Sequence, residues 1–201
     1  ALENMFFIMI PVSVVTMILS RPMIHALFQR GEFDAYSTSI TSSALLFYAI
    51  GLFAFGSIKV LVSAFHALQD TKTPVKVSAM CLAINATLNF VLMGPMKVAG
   101  IAFASSIAAL INFSALLLVL ERRINGIISN LWSFSVRVVF SSLVAGAVLQ
   151  GLWPVLARLN EIIALAAGML LSTVVYFVVA LALKIPQACK ILEWMHGRKA
   201  Q

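Results

Sequence analysis

Charged residues are scarce in this sequence. They make up 10% of the 201 residues, against about a quarter in soluble domains, whereas 62% are hydrophobic and the mean hydropathy is +1.03. This composition excludes an ordinary soluble domain and predicts an integral membrane protein. Acidic residues are the scarcest, 7 against 14 Lys and Arg. In a membrane protein that balance indicates loops facing anionic lipid, and not a nucleic-acid partner.

Residues that perform chemistry are also few. The two cysteines, Cys81 and Cys189, are isolated and support neither a disulfide framework nor a metal site. The sequence has no paired-carboxylate motif, no glycine-rich phosphate loop and no Ser/His/Asp arrangement that would support catalysis. We therefore expect neither an enzyme nor a cofactor. The sequence opens without an initiator methionine or signal-peptide architecture, so we expect a piece of a longer protein.

What the sequence does contain is long apolar runs. Six are long enough to cross a bilayer as helices, since about 20 apolar residues span the hydrocarbon core. We predict an all-α, polytopic membrane helix bundle whose spans lie near 4–19 (interrupted by Pro11), 41–65, 75–93, 98–120, 134–152 and 162–183. A short amphipathic extension is expected to continue the first span to about residue 30. Because the connections are short, consecutive helices are predicted to be antiparallel neighbours.

A polar segment, residues 66–76, separates the second span from the third. Thr73 followed by Pro74 is typical of an N-cap and a first helical residue, and Asp70 places negative charge just ahead of that helix start. The segment predicts a turn at the membrane surface. Asp34 similarly predicts the cap of the second helix.

Lysine and arginine are divided unevenly between the two ends of the spans. Four of the 14, Arg21, Arg30, Lys97 and Arg158, follow spans one, three and five, and the other ten lie towards the opposite ends. Cytoplasmic loops carry an excess of basic residues. We therefore predict that the second set, and both ends of this chain, are cytoplasmic.

Two asparagines on the third span could bind a ligand. Asn85 and Asn89 stand four residues apart and so share one face of the helix. Buried amides in lipid need partners, which a neighbouring helix could supply by hydrogen bonding. Alternatively, their carbonyl oxygens help to bind a monovalent cation, because hard cations take oxygen ligands. Ser105 could join them if the fourth helix returns alongside the third.

Two cations lie within the predicted spans. Lys59 falls inside the second apolar run, where it either snorkels to the cytoplasmic interface or lines a water-filled cavity and attracts an anionic headgroup. Arg137, expected in the first turn of the fifth helix, presents the same alternatives.

Small residues recur every four positions on two helices and predict close helix packing, with a substrate path along the stripes as the alternative. The stripes are Gly100, Ala104 and Ala108 on the fourth helix, and Ala164, Gly168 and Ser172 on the sixth.

Several motifs together resemble one known family. They are Leu27-Phe-Gln-Arg-Gly-Glu-Phe33, Tyr48-Ala-Ile-Gly-Leu52, Lys59-Val-Leu61, Gln69-Asp-Thr-Lys-Thr-Pro-Val-Lys76 and Gly94-Pro-Met-Lys-Val-Ala-Gly100. The signal Phe-x-x-Gly-x-Phe, followed at this distance by Asp-Thr-x-Thr-Pro-Val, resembles the MurJ/MviN lipid II flippase family. The resemblance covers about half of the chain well, and the last two spans fit by position and hydropathy.

The resemblance implies a partial fold of the MOP exporter superfamily. Members of this family have fourteen helices, in which two six-helix lobes enclose a central cavity and two further helices follow. Residues 1–123 would be the last four helices of the C-terminal lobe. Residues 124–201 would be the two additional helices and a basic cytoplasmic tail. The helices that precede them in the family would be missing from this chain.

The resemblance also implies a function. The family flips undecaprenyl-diphosphate-linked disaccharide-pentapeptide, lipid II, from the inner to the outer leaflet of the bacterial cytoplasmic membrane by alternating access. The partners would be lipid II, membrane lipids and the missing N-terminal helices. The arginines that meet the diphosphate would lie on those helices, which leaves Lys59 as the substrate-cavity candidate here.

Site residues follow from the resemblance by position. Asn85, Asn89, the backbone of Ile101 and Ser105 match a sodium site described in some members, although Asn89 stands where those members carry an acid. Coupling to sodium or protons is thus expected. The fifth and sixth helices would form a lipid-tail groove walled by Gly146 and Gly168, with ordinary lipid-facing surface as the alternative.

Three rival functions stay open at this stage. The chain could belong to another exporter of the superfamily, such as an O-antigen-type flippase or a multidrug antiporter, but those generally stop at twelve helices. It could be a membrane enzyme of polyprenyl-phosphate metabolism, but it lacks the acidic or histidine cluster such an enzyme needs. It could also be a non-catalytic membrane scaffold.

Overall fold

The computed structural model describes residues 1–29 and 31–197, and beyond residue 193 its backbone alone. Arg30 and the end of the basic tail, residues 198–201, lie outside the described residues. The described chain forms seven helices: α1 (Leu2–Phe28), α2 (Ala35–Ala67), α3 (Lys72–Met96), α4 (Val98–Glu121), α5 (Ile127–Leu156), α6 (Glu161–Ala182) and α7 (Pro186–Gly197). The first six are long and apolar enough to cross a membrane. The predicted all-α, polytopic bundle is confirmed.

The helices form two groups joined by α1. In the first, α4 packs between α2 and α3, and α1 packs on α2. In the second, α5 and α6 pack together and both contact α1. The prediction that consecutive helices are neighbours therefore holds for α1/α2, α3/α4 and α5/α6. It is wrong for α2/α3, which meet at few positions because α4 lies between them. It is also wrong for α4/α5.

Helix α3 lies at the edge of the bundle. In an apolar stretch of 18 residues, 6% of the α3 residues are buried, against 39% of the α4 residues. Phe90 is 82% exposed and Leu82 69% exposed. Most of the α3 surface must therefore be covered by lipid or by protein outside this chain.

Prolines do not end the helices that contain them. Helix α1 continues through Pro11 and Pro22 to Phe28, close to the expected extension to about residue 30, α3 continues through Pro95 to Met96, and α5 continues through Pro154. A proline removes one hydrogen bond, to the carbonyl four residues earlier, and in the last turn or within a packed bundle the helix survives that loss.

The start of α3 corrects a second prediction. The helix begins at Lys72 with Thr71 as N-cap, so neither the Thr73 cap nor the Pro74 start is observed. The carboxylate of Asp70 takes the capping role, because it accepts hydrogen bonds from the backbone N–H groups of Lys72 and Thr73 at 3.1 and 3.0 Å. A carboxylate at this place satisfies two of the N–H groups that a helix start leaves free.

The predicted cap of α2 is confirmed. Asp34 is the N-cap, and its carboxylate accepts a hydrogen bond of 2.8 Å from the Ser37 backbone N–H.

A proline inside α1 creates a contact that joins the two groups of helices. Pro11 has no N–H, so the carbonyl of Phe7 loses its partner within the helix. The hydroxyl of Tyr176, on α6, donates a buried hydrogen bond of 2.8 Å to that carbonyl. The two side chains also pack, with the Phe7 and Tyr176 ring centroids 5.3 Å apart. A backbone group that lipid could not hydrate is thereby satisfied from a neighbouring helix.

We expect Tyr176→Phe to lower the free energy of unfolding by about 1–2 kcal/mol, because the Phe7 carbonyl is left buried without a donor. Titration with a denaturing detergent measures the change. Tyr48→Phe, at a tyrosine that is 42% exposed, is the matched control. In a Pro11→Ala background the restored N–H should remove most of the cost of Tyr176→Phe. An equal cost in both backgrounds would contradict the assignment.

Candidate functional site

Helices α3 and α4 run antiparallel in a register fixed by two contacts. Asn112 Nδ2 donates to Ser78 Oγ at 3.4 Å. Near the connecting turn, a methyl group added to Gly100 would overlap the carbonyl of Leu92. Between these contacts, Asn85 lies close to the level of Ser105, and Asn89 close to the level of Ile101. The structure thus places α4 alongside α3, the condition on which the participation of Ser105 depends.

Three asparagine side chains lie along α3 and α4 where the two helices meet, and their amide oxygens find no partner in the described part of the chain. The Oδ1 atoms of Asn85, Asn89 and Asn112 are buried and accept no hydrogen bond from the described residues. The hydroxyl of Ser105 donates to the Ile101 carbonyl at 3.0 Å, as serines in helices commonly do. Hydrogen bonding to a neighbouring helix therefore accounts for the amide nitrogen of Asn112, but not for the amide oxygens of Asn85, Asn89 and Asn112.

These atoms suit a hard monovalent cation better than a transition metal. The set consists of neutral oxygen atoms, from two amides, one hydroxyl and one backbone carbonyl, and hard cations prefer such ligands. No group of three or more His, Cys, Asp or Glu that could hold a metal ion occurs in the described residues. A charge-balancing carboxylate is absent from this set of four residues.

Lys59 stands beside a cleft between α2 and α3. It is exposed, and it lies eight residues before the end of α2. That places it about 12 Å along the helix axis from the end. By helical spacing it shares a face with Val62 and His66, which line a cavity of about 250 Å³ together with Pro74, Val75 and Ser78. Lys59 is therefore on the cleft side of α2.

Arg137 is not where the sequence placed it. Because α5 begins at Ile127, Arg137 lies in the third turn of the helix, and the prediction of a first-turn position is wrong. Its side chain is exposed. It stands about 15 Å from the start of α5, a depth similar to that of Lys59.

A second cavity, of about 490 Å³, lies between α1, α5 and α6. Its lining includes Pro11, Ser142, Thr173, Tyr176 and Phe177. Three of its hydroxyl groups are engaged within the protein, because Ser142 and Thr173 donate to carbonyls of their own helices at 2.8 Å and Tyr176 donates to Phe7. What faces the cavity is mainly hydrocarbon, and this surface suits an apolar chain.

The two groove glycines lie in helix contacts and do not line this cavity. A methyl group on Gly146 would come within 2.8 Å of Val14 and 2.9 Å of Ile18, both on α1. One on Gly168 would lie 3.1 Å from Leu149 and 3.4 Å from Trp153, both on α5. Both glycines let helices approach closely. The other members of the Gly168 stripe, Ala164 and Ser172, are buried as well. The groove role of the two glycines stays a prediction.

Polar side chains at one end of the bundle connect the turn before α3 to the start of α5. Asp70 forms an ion pair with Arg123, with Oδ2 and Nη2 2.6 Å apart, and the guanidinium lies 5.7 Å from the centroid of the Phe65 ring. Next to it, the Glu121 carboxylate accepts hydrogen bonds of 2.8–3.0 Å from the backbone N–H groups of Gly126, Ile127 and Ile128. The sequence predicted the place of Asp70 ahead of a helix start, but neither its ion pair with Arg123 nor the capping of α5 by Glu121 was predicted.

Contacts at the other end of the bundle were also missed. The ammonium group of Lys97 donates to the Tyr36 hydroxyl at 3.1 Å, which raises the pKa of Lys97. His25 and Glu161 approach to 3.2 Å between Nδ1 and Oε2, and so link the end of α1 to the start of α6. Single residues far apart in sequence carried no signal that would have paired them.

Comparison with known proteins now identifies the family. A family model described as "Lipid II flippase MurJ" matches residues 1–164. The chain belongs to the MurJ family. A "Probable lipid II flippase MurJ" from Rhizobium tropici is 32% identical over 191 residues, which cover 90% of this chain and 36% of that protein. One from Buchnera aphidicola subsp. Acyrthosiphon pisum is 32% identical over 174 residues, covering 83% and 34%.

A solved structure agrees with the MurJ assignment. "Lipid II flippase MurJ, inward closed conformation" matches with a TM-score of 0.75 and 26% identity, over 89% of this chain and 36% of that one. The resemblance found in the sequence is confirmed, as is the choice of this family over other exporters. The chain spans about a third of the length of the relatives it matches. The division at residue 123 stays a prediction.

One titratable group of this MurJ chain is strongly perturbed. The hydroxyl and the backbone N–H of Thr73 donate to Asp70 at 2.6 and 3.0 Å, and together with the Arg123 guanidinium they lower the pKa of Asp70 from 3.8 to about 2. Each of these interactions favours the ionised carboxylate.

We expect the Asp70 contribution to stability to be complete above about pH 4 and to disappear as the pH falls towards 2. The pKa is lower in the folded state, so protonation removes an interaction that the unfolded chain lacks. Asp70→Asn should therefore be less stable than the parent at pH 7, and the two should converge near pH 2. Thermal unfolding in detergent across this range tests it. Glu32→Gln, at an exposed acid, is the control, and a difference that does not change with pH would contradict the expectation.

Proposed function

We propose that this chain supplies the C-terminal part of a lipid II flippase, a transporter and not an enzyme. The observation that carries the proposal is the apolar cavity between α1, α5 and α6, found in a chain of the MurJ family. A lipid diphosphate cannot cross hydrocarbon unaided, because an unpaired charge there costs several kcal/mol or more. A flippase provides a wet, cationic path for the head while the tail stays in an apolar environment.

The apolar cavity is proposed to hold the substrate's hydrocarbon tail. The hydroxyls of Ser142, Ser172, Thr173 and Tyr176 in its lining donate hydrogen bonds within the protein, so a hydrocarbon chain would leave these four groups paired. This places the tail-binding surface about one turn from Gly146 and Gly168, which would act by letting α5 pack closely against α1 and α6.

Lys59 is proposed to contribute positive charge to the substrate cavity. Its position on the cleft side of α2 supports this role, since Val62 and His66 on the same face line the cavity between α2 and α3. The principal contacts with the headgroup are expected from the part of the relatives that lies beyond this chain.

Sodium coupling is proposed through Asn85, Asn89, Ser105 and the carbonyl of Ile101. The buried, unpartnered amide oxygens support it. Bound sodium would supply positive charge between α3 and α4, and its occupancy would tighten that helix pair. The neutral Asn89 means that the charge-balancing acid would have to come from elsewhere in the whole protein, and proton coupling is the alternative.

We further propose that the protein lies in the bacterial inner membrane with the start of α1 and α7 in the cytoplasm. Gln187 Nε2 donates to Glu3 Oε2 at 2.9 Å, so these two segments share one side. The excess of basic residues on that side supports a cytoplasmic location.

The function can be tested in bacterial cells depleted of their lipid II flippase. A chimera in which this chain replaces the matching segment of the Rhizobium tropici relative is expected to restore growth, because it would complete the headgroup cavity. The intact relative is the positive control, and this chain alone should not rescue. A chimera that reaches the membrane but does not restore growth would overturn the proposal. Rescue by this chain alone would contradict the need for the remaining helices.

The sodium proposal predicts that Asn89→Leu in that chimera abolishes any dependence of flipping on sodium, because it removes an oxygen ligand. Flipping in reconstituted vesicles is measured across a sodium titration. Asn130→Leu, at an exposed amide on α5, is the matched control. A sodium dependence identical in Asn89→Leu and its parent would eliminate this site.

The tail proposal predicts that Thr173→Trp reduces flipping about tenfold, because the indole would fill part of the cavity. Val174→Trp adds the same bulk at the adjacent position, which is 60% exposed, and should leave flipping nearly unchanged. The same vesicle assay measures both. Equal effects of the two tryptophans, or no effect of either, would refute a tail site here.

A further inference from the structure

Helix α7 has a strongly amphipathic sequence. It is separated from α6 by three residues and runs from Pro186 to Gly197. Its apolar positions Ala188, Ile191 and Leu192 follow the spacing i, i+3, i+4, which places them on one face. Lys190 and Glu193 fall on the opposite face. At 12 residues the helix is too short to span a bilayer.

The bundle covers only the first turn of this apolar face. Ile185 and Ala188 are fully buried and belong to the same core cluster as Leu131 and Tyr176. One turn later, Ile191 is 41% exposed and Leu192 is 37% exposed. Because a single helix carries both turns, the face that packs on the ends of the spans continues beyond the edge of the bundle.

The charge of this segment is positive. Residues 184–199 include four basic residues, Lys184, Lys190, Arg198 and Lys199, against the single acid Glu193. Lys184 and Lys190 are exposed, and neither forms an ion pair with a described residue. The start of α7 is fixed to the bundle by the hydrogen bond between Gln187 and Glu3. The first turn of α7 is therefore anchored to the bundle.

We infer that α7 is an interfacial helix that binds an anionic bilayer surface. Its apolar face beyond Ala188 would enter the boundary between headgroups and acyl chains, and its lysines would contact anionic headgroups. A short helix with an apolar face and a basic opposite face binds in this way, through buried apolar area and attraction to anionic lipid. This surface is separate from the cavity and the cleft described above, so the inference does not depend on the transport proposal.

The test uses the intact protein in nanodiscs of phosphatidylcholine, with or without one quarter phosphatidylglycerol. Cys81 and Cys189 are replaced by alanine, and a spin label is attached through Ile191→Cys or Glu193→Cys. Collision with oxygen, which concentrates in lipid, and with a water-soluble nickel complex measures immersion. The label at 191 is expected in lipid and the label at 193 in water. Phosphatidylglycerol should favour the state in which α7 is bound to the bilayer surface. Lys184→Gln or Lys190→Gln should each lower the equilibrium constant for this binding roughly fivefold.

Arg158→Gln, at an exposed arginine at the other end of the bundle, is the control and should change nothing. Equal water contact at 191 and 193, or equal immersion of the 191 label in both lipids, would overturn the inference. Hydrogen exchange of the 186–197 backbone in the unsubstituted protein gives an independent readout if the cysteine replacements disturb folding. Protection about tenfold greater with phosphatidylglycerol is expected, and equal protection in both lipids would refute anionic-lipid binding.

Discussion

The hydrogen bond from Tyr176 to the Phe7 carbonyl answers a constraint that governs the whole chain. In hydrocarbon every backbone N–H and C=O must find a partner within the protein. Pro11 breaks that rule inside α1, the helix that joins α2, α3 and α4 to α5 and α6. The donor that repairs it comes from the other group of helices, so the repair of the backbone also fixes how the two groups meet. The residues of this contact, Phe7 and Tyr176, also form part of the wall of the cavity between α1, α5 and α6.

Hydropathy predicted the number of spans and their order because one physical quantity, the apolar length, decides both. It could not predict where the helices end. The starts of α3 and α5 depend on the capping side chains Asp70 and Glu121, and the ends of these helices depend on whether Pro95 and Pro154 are tolerated by their surroundings. The position of Arg137 within α5 was predicted wrongly for that reason. The seven residues of α5 before the predicted start, 127–133, include polar side chains, and a hydropathy criterion leaves such residues out of a span.

The candidate site was predictable in its residue types and not in its geometry. The spacing of Asn85 and Asn89 shows that they share a face, but only the packing of α4 alongside α3 places Ser105 and Ile101 at their level. Gly146 and Gly168 were recognisable as small residues, yet a glycine in a membrane helix can permit either a close helix contact or a ligand. In this chain Val14, Ile18 and Trp153, all distant in sequence, are among the nearest neighbours of the two glycines, and the sequence could not have named them.

The carboxylate of Glu121 has a mechanical consequence. It holds three successive N–H groups at the beginning of α5 while belonging to the last turn of α4, so the two helices share a stiff corner despite touching little elsewhere. Helix α5 has 30 residues and is therefore about 45 Å long. If the corner rotates by about 10°, the far end of such a lever moves by about 8 Å. A small rearrangement around α4 would thus be amplified into a large displacement at the opposite membrane surface, where α5 turns into α6.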